Sequence, residues 1–171
     1  MLKNRAMFSV AIITVSDQGF RGKRQDESGQ VIRNSLPSPD SRVVRYDIVP
    51  DEVKAISEKL TEWADEGGID VILTTGGTGL APRDVTPEAT LSVVDKIVPG
   101  LTEAMRVETA KVTQTAILSR AVAGVRGRCL IINLPGSPRA VRECLEIILP
   151  VIPHAVDIIK GEVTEHKAPH E

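Results

Sequence analysis

Aromatic side chains are nearly missing from this chain: 171 residues hold one Trp, one Tyr and two Phe. The core must therefore be built from Val, Ile, Leu and Ala, and a 42% hydrophobic content is enough for a substantial one. An excess of one charge is missing too. The formal net charge is −2, which argues against general affinity for nucleic acid. Cysteine is limited to Cys129 and Cys144, both in apolar surroundings and without CxxC or metal-ligand spacing. They read as buried free thiols in a reducing compartment. His154, His166 and His170 form no metal-ligand pattern. No stretch is long enough to span a membrane. The run Val10–Val15 follows Lys3 and Arg5 as a signal peptide would, but it is short, is interrupted by Thr14 and leads straight into Asp17. It fits a first buried strand, and the expected location is the cytoplasm.

Three catalytic templates are also missing. No glycine run is followed by Lys-Ser or Lys-Thr, so there is no P-loop. The run Gly77-Thr78-Gly79-Leu80-Ala81-Pro82 puts proline where a dinucleotide fingerprint needs its last glycine. No Ser-His-Asp or Cys-His pattern occurs, which argues against covalent hydrolase chemistry.

What is present is an alternation of two kinds of segment. Val10–Val15, Val43–Val49, Ile69–Thr75 and Cys129–Asn133 are short β-branched runs that read as strands. Between them lie amphipathic stretches. Glu52–Glu66 places Val53, Ile56, Leu60, Trp63 and Ala64 on one face, with Asp51 as its expected N-cap and Gly67-Gly68 at its end. Thr86-Pro87 and Ser137-Pro138 repeat one start signal. The first of these helices carries Ala89, Val93 and Val94 inward, and the second carries Val141, Leu145 and Ile148. A further helix follows Pro99-Gly100. Pro150 and Pro153 are expected to interrupt the last helical stretch before it ends near Lys160. Residues Arg120–Asn133, with Gly124 and Gly127, suggest a hairpin. The pattern predicts one domain over residues 1–171: an α/β fold, a three-layer α/β/α sandwich around a mostly parallel sheet. Its ordered core spans about 8–160, and 161–171 form a polar tail.

Ligands of open α/β sheets collect beyond the carboxyl ends of the strands. Three strand exits here have unusual chemistry: Ser16-Asp17 through Asp26-Glu27-Ser28-Gly29; Gly76 through Thr86; and Asn133-Leu134-Pro135-Gly136-Ser137. Asp51 stands just past a fourth strand. The second exit is the richest, since its glycines let backbone N–H groups approach an anion and a helix N-terminus follows. Asp51 has a ready ordinary role as a helix cap. For Asp84 that role is weaker, because Thr86 is the expected cap. Together the two aspartates suit Mg²⁺, which usually takes one or two carboxylates and leaves its other positions to water and phosphates. A reaction of positioning and charge neutralisation, nucleotidyl or phosphoryl transfer, fits best. The late arginines Arg120, Arg126, Arg128, Arg139 and Arg142 read as surface charges, of which one or two could bind an anion.

The stretches Val49-Pro50-Asp51-Glu52, Ile72–Gly79, Pro82–Thr90, Leu118-Ser119-Arg120 and Gly127 through Ser137 resemble the molybdopterin adenylyltransferase family, which includes the G domain of gephyrin. The match runs from about Val10 to Lys160. The resemblance implies the molybdopterin-binding fold, usually a homotrimer. It implies transfer of AMP from ATP to the terminal phosphate of molybdopterin, with Mg²⁺, release of pyrophosphate, and hand-over to a molybdate-inserting protein. It makes Asp51 and Asp84 the catalytic, Mg²⁺-associated carboxylates. The pterin and nucleotide contacts it implies are Ser16, Asp17, Asp26, Ser28, Gly29, Thr75, Gly76, Gly77, Thr78, Gly79, Arg83, Thr86, Ser119, Asn133, Pro135, Gly136 and Ser137. A relative that binds molybdopterin without efficient adenylylation, as a carrier or scaffold, is the alternative.

Overall fold

A computed structural model describes residues 7–162. The polar tail expected from 161 onward lies almost wholly outside the described residues, as do His166 and His170. Six strands form one sheet in the order β2-β1-β3-β6-β5-β4. They are β1 (Phe8–Val15), β2 (Ser41–Val49), β3 (Val71–Thr75), β4 (Lys96–Ile97), β5 (Ala123–Arg126) and β6 (Cys129–Leu134). The strands β2, β1, β3 and β6 run parallel, while β5 is antiparallel to both of its neighbours. The sheet is therefore mixed, mostly parallel at its centre, with the expected hairpin turning between Arg126 and Cys129.

Side-chain alternation along the strands divides the core in two. Val10, Ile12, Val71, Leu73, Leu130 and Ile132 face one layer of helices. These are α2 (Glu27–Ser35), α5 (Pro99–Ala110), α6 (Pro138–Ile148) and α7 (Ile152–Lys160). Ala11, Ile13, Ile72 and Ile131 face the other layer, α3 (Val53–Glu66) and α4 (Thr86–Leu91). The helix α3 buries Ile56, Leu60 and Trp63, at the spacing of one helical face. A short helix α1 (Asp17–Phe20) and a 3₁₀ turn over Gln114–Leu118 complete the fold. The three-layer α/β/α sandwich expected from the sequence is the observed architecture.

Local expectations need correction at several points. Asp51 does not cap α3: Glu52 is the N-cap, and it makes no side-chain cap bond. Thr86 is not a cap either, since it stands inside α4, whose N-cap is Val85. Val53 is exposed at the first turn of α3. The helix α4 ends at Leu91, so Val93 and Val94 reach the core from the turn that follows. Pro153 does not break a helix but sits in the first turn of α7, where its missing N–H has no partner to lose.

Asp70, at the entry to β3, ties both ends of the described chain together. Its Oδ2 accepts from the N–H and hydroxyl of Ser9, and its Oδ1 meets Lys160 Nζ at 2.8 Å. Burial pushes its carboxyl up, but the bonds from Lys160 and Ser9 outweigh this and hold it below the ordinary 3.8. A depressed carboxylate stabilises the fold above its unfolded pKa, and that stability is lost as pH falls through the folded value. Asp70→Asn is therefore expected to cost about 1 kcal/mol at pH 7, after discounting for solvent screening. The gap from the wild type should close as pH falls through 3.8 and below. Urea unfolding at neutral and acid pH measures both values.

Candidate functional site

The strand order reverses at β1, with β2 on one side and β3 on the other. The loops leaving β1 and β3 thus diverge, which opens a crevice at the carboxyl edge of the sheet. Two hollows occupy this edge. A cleft of about 720 Å³ is lined by Gly77, Thr78, Gly79, Asp84, Ser119, Pro135, Gly136 and Ser137, and by residues of α5, the 3₁₀ turn and α6. A smaller one of about 150 Å³ is lined by Ser16, Asp26, Ser28, Thr75, Gly76 and Gly136. Gly136 belongs to both, and a Cβ there would stand 3.5 Å from the Gly76 Cα, so the β6 exit packs on the β3 exit.

The glycine-rich loop is folded tightly around two carboxylates. A Cβ on Gly77 would lie 3.4 Å from Asp51 Oδ1 and 2.3 Å from Thr86 Oγ1. A Cβ on Gly79 would lie 2.8 Å from Asp84 Oδ2. No side chain other than hydrogen fits between these groups. Freed from capping, Asp51 turns to the β1 exit instead. Its Oδ2 accepts from the Asp17 N–H at 2.8 Å, and its own N–H donates to Asp17 Oδ1 at 3.1 Å. Asp84 Oδ2 accepts from the Ala81 N–H at 2.9 Å, closing the loop tip. Thr86 donates its hydroxyl to the Gly76 carbonyl at 2.8 Å.

Arg83 reaches across to the β1 exit. Its Nε and Nη2 meet the two Asp17 oxygens at 2.6 and 2.9 Å. The Arg83 hydrogen bond holds the Asp17 carboxyl below its ordinary value. Asp51 behaves in the opposite way. Burial pushes its carboxyl up, and this outweighs the Asp17 N–H, with the Asp17 and Asp84 charges pushing further up. A desolvated carboxylate with acidic neighbours favours a cation beside it. Asp51 Oδ1 and Asp84 Oδ1 accept no hydrogen bond among the described residues, so each aspartate has an oxygen to offer. The donor set fits Mg²⁺, which needs only one or two carboxylates from the protein. Among the described residues no group of three or more potential metal ligands occurs, so a closed protein cage is not what this site offers.

Several expected contacts are structural. Asn133 is wholly buried, and its side chain donates to Thr74 and Thr90 hydroxyls at 2.9 Å each and accepts from the Val122 N–H. It braces β6 against β3 and α4. Asp26 caps α2 by accepting from Gly29 N–H, and it also accepts from the Thr14 and Tyr46 hydroxyls. Thr75 donates to the Pro135 carbonyl, Ser28 to the Gly136 carbonyl, and Ser16 and Ser137 cap α1 and α6. The late arginines do not form one patch. Arg126 pairs with Asp65, Arg128 donates to the Lys160 carbonyl and Arg139 pairs with Glu143. Arg120 alone reaches the glycine-rich loop.

Sequence reasoning missed the far wall of the larger cleft. Met105, Arg106, Thr109, Thr113, Ala116, Leu118 and Cys144 line it. Arg106 donates to the Ser119 and Ala121 carbonyls. The available signal was an arginine and three threonines, Thr109, Thr113 and Thr115, following the apolar stripe of α5. Cys144 is buried, and desolvation pushes its thiol up to about 11, so it forms wall rather than nucleophile.

Residues 11–154 match the family described as "Probable molybdopterin binding domain". A molybdopterin adenylyltransferase of Helicobacter pylori is 45% identical over 154 residues, covering 89% of this chain and 88% of its own. The solved structure of the molybdopterin biosynthesis enzyme MoaB from Thermus thermophilus is 56% identical with a TM-score of 0.86, covering 91% of this chain and 98% of its own. A tungsten cofactor synthesizing protein MoaB of Pyrococcus furiosus is 37% identical with a TM-score of 0.81, over 90% of this chain and 98% of its own.

Proposed function

The chain belongs to the molybdopterin adenylyltransferase family of molybdopterin-binding domains, and from that membership we propose that it acts in molybdenum cofactor biosynthesis by adenylylating molybdopterin. In this reaction a terminal phosphate oxygen of molybdopterin attacks the α-phosphorus of ATP. The new P–O bond forms as the bond from the α-phosphorus to the bridging oxygen breaks, and pyrophosphate leaves with that oxygen. The nucleophile is already ionised at neutral pH, so no histidine base is needed.

The observation that carries this reading is the glycine-rich loop itself: Asp51 lies beside Gly77 and Asp84 beside Gly79, and Gly77, Gly79 and Asp84 line a cleft of about 720 Å³. The cleft is large enough for a pterin-sized ligand, and its lining from Gly77 to Gly79 offers a glycine backbone. Asp51 and Asp84 would hold Mg²⁺, which when bound supplies charge neutralisation for the departing pyrophosphate. The hydroxyls of Thr78 and Ser119, with the β6 exit at Pro135, Gly136 and Ser137, line the same cleft and suit ligand contact. Ser16, Asp26, Ser28, Thr75 and Gly76 serve the smaller hollow. Asp17, Gly29, Arg83 and Thr86 shape the loops around them.

We take residues 1–171 as one catalytic domain. A homotrimer is supported by the resemblance and by apolar side chains left exposed at Ile97, Val107, Val112 and Ile117. Hand-over of the product to a molybdate-inserting protein follows from the same resemblance. No helix among the described residues is long and apolar enough to cross a membrane. The two free, buried thiols suit the cytoplasm as the proposed location.

Molybdopterin-dependent release of pyrophosphate from Mg²⁺-ATP tests the activity. Release that requires molybdopterin is the expected result. Tight binding of molybdopterin without release would replace the enzyme with a carrier, and absence of both would overturn the reading.

A further inference from the structure

Arg120 reaches back from the end of the 3₁₀ turn, touching the glycine-rich loop at three points and α4 at a fourth. Its backbone N–H donates to the Thr78 carbonyl at 2.9 Å. Its Nε donates to the Gly79 carbonyl at 2.8 Å, and its Nη2 to the Asp84 carbonyl at 2.6 Å. Its Nη1 meets the Glu88 carboxylate in α4. Gly79 and Asp84 are the two ends of the loop tip. The Asp84 carboxylate holds that tip from inside through the Ala81 N–H, at 2.9 Å. The guanidinium holds the same two ends from outside.

Two roles are open to an arginine beside such a loop, binding an anionic substrate or fixing the loop. The partners decide between them. Glu88 supplies the countercharge, and the Arg120 hydrogen bond holds its carboxyl below the ordinary range. The charge of Arg120 is therefore already matched, and two of its other four N–H donors are held by carbonyls. Three donors in one plane do this. A lysine ammonium, one compact charge on a flexible stem, cannot bridge both carbonyls and the carboxylate in the same way.

Resting on the adenylyltransferase reading above, we propose that Arg120 is a positioning residue, which aims the Asp84 carboxylate by pinning the carbonyls of Gly79 and Asp84 and does not itself touch the reacting phosphates. Small misplacements of a charged group at a transferring phosphoryl centre are costly in rate.

The test uses the full chain with Arg120→Lys and Arg120→Ala. Steady-state pyrophosphate release, molybdopterin affinity, Mn²⁺ affinity and amide hydrogen exchange are measured on each. In Arg120→Lys, kcat should fall about 10- to 100-fold while molybdopterin affinity stays within about threefold. Mn²⁺ should bind more weakly, and exchange should rise over residues 76–86 and not in β1 or α3. Guanidinium ion added to Arg120→Ala should restore part of kcat. The inference is overturned if Arg120→Lys keeps kcat within about twofold. It is also overturned if the loss falls on molybdopterin affinity alone, which would make Arg120 an anion binder, or if exchange rises throughout the fold. Should the wild type release no pyrophosphate, the catalytic reading fails separately. The exchange and Mn²⁺ results then still decide, since no change in either removes Arg120 from any positioning role. Where Arg120→Ala does not fold, the lysine variant carries the test.

Discussion

Asp84→Asn is expected to lower kcat for pyrophosphate release by about a thousandfold while leaving molybdopterin affinity within about threefold. Asparagine keeps the shape of aspartate, and its carbonyl oxygen can still accept from the Ala81 N–H that closes the loop tip. What disappears is the negative charge offered to a cation. Loss of turnover at constant fold and constant binding would therefore assign the charge, not the shape, to the reaction. Asp51→Asn should reduce turnover to a similar degree, with one added signature. The Asp51 carboxyl is held above its ordinary value chiefly by burial. A group with a raised folded pKa favours the fold when protonated, and that contribution is lost as pH rises through the folded value. At neutral pH the ionised carboxylate thus works against the fold. A neutral asparagine removes this cost, so Tm should rise while activity falls. Such opposite movements mark a residue kept for function at the expense of stability. The two variants are compared by calorimetry and by the pyrophosphate assay without molybdopterin, with it, and across Mg²⁺ concentrations. Normal turnover in Asp84→Asn would remove the proposed mechanism.

The fold was legible wherever one periodicity ran unbroken. β1, β3 and β6 are nearly continuous apolar runs because both faces of each strand are covered. The helix α3 could be read from Ile56, Leu60 and Trp63. Missed elements were those whose stability comes from elsewhere. α1 and α2 lie in a polar segment, and β4 has only two residues, held by pairing with Val125 and Gly124. At the site, the glycine-rich loop was legible because its residue types have few other uses. The roles within it were not. Asp51 looked like a cap and Asp84 less so, and in the structure neither is one. Asn133 was read as the start of a strand exit because a Pro-Gly turn follows, yet its register opposite Thr74 keeps it within the sheet. Arg120 stood among arginines that read as surface charge, and its long-range partners Gly79 and Asp84 are far from it in sequence. The cleft wall from α5 was hidden because a helix face lining a hollow has the same pattern as one lining a core.

Gly76→Ala should be the most damaging single-methyl change in the described fold, costing about 3 to 5 kcal/mol. Two separate penalties combine. Gly76 has φ of +97°, a conformation that L side chains rarely adopt. A Cβ there would also stand 2.4 Å from the Val15 carbonyl oxygen, which is backbone of β1 and cannot rotate aside. The loop would have to move away from β1, and several contacts depend on its present path. Gly76 donates to the Leu134 carbonyl and accepts from Thr86. A displaced Gly76 would therefore loosen the joint of β3, β6 and α4 from which Asp84 is presented. A loss of this size in a chain of 171 residues corresponds to a fall in Tm of roughly 10 °C or more. Gly127→Ala separates the two penalties. Gly127 also has positive φ, +55°, but a Cβ there meets nothing within 4 Å. It should lose only about 1 kcal/mol, from backbone strain alone. Equal losses in the two variants would mean that the close approach to Val15 contributes nothing. A much larger loss at Gly76, with turnover reduced further than the folded fraction accounts for, would tie the contact between the β1 and β3 exits to the geometry that presents Asp84.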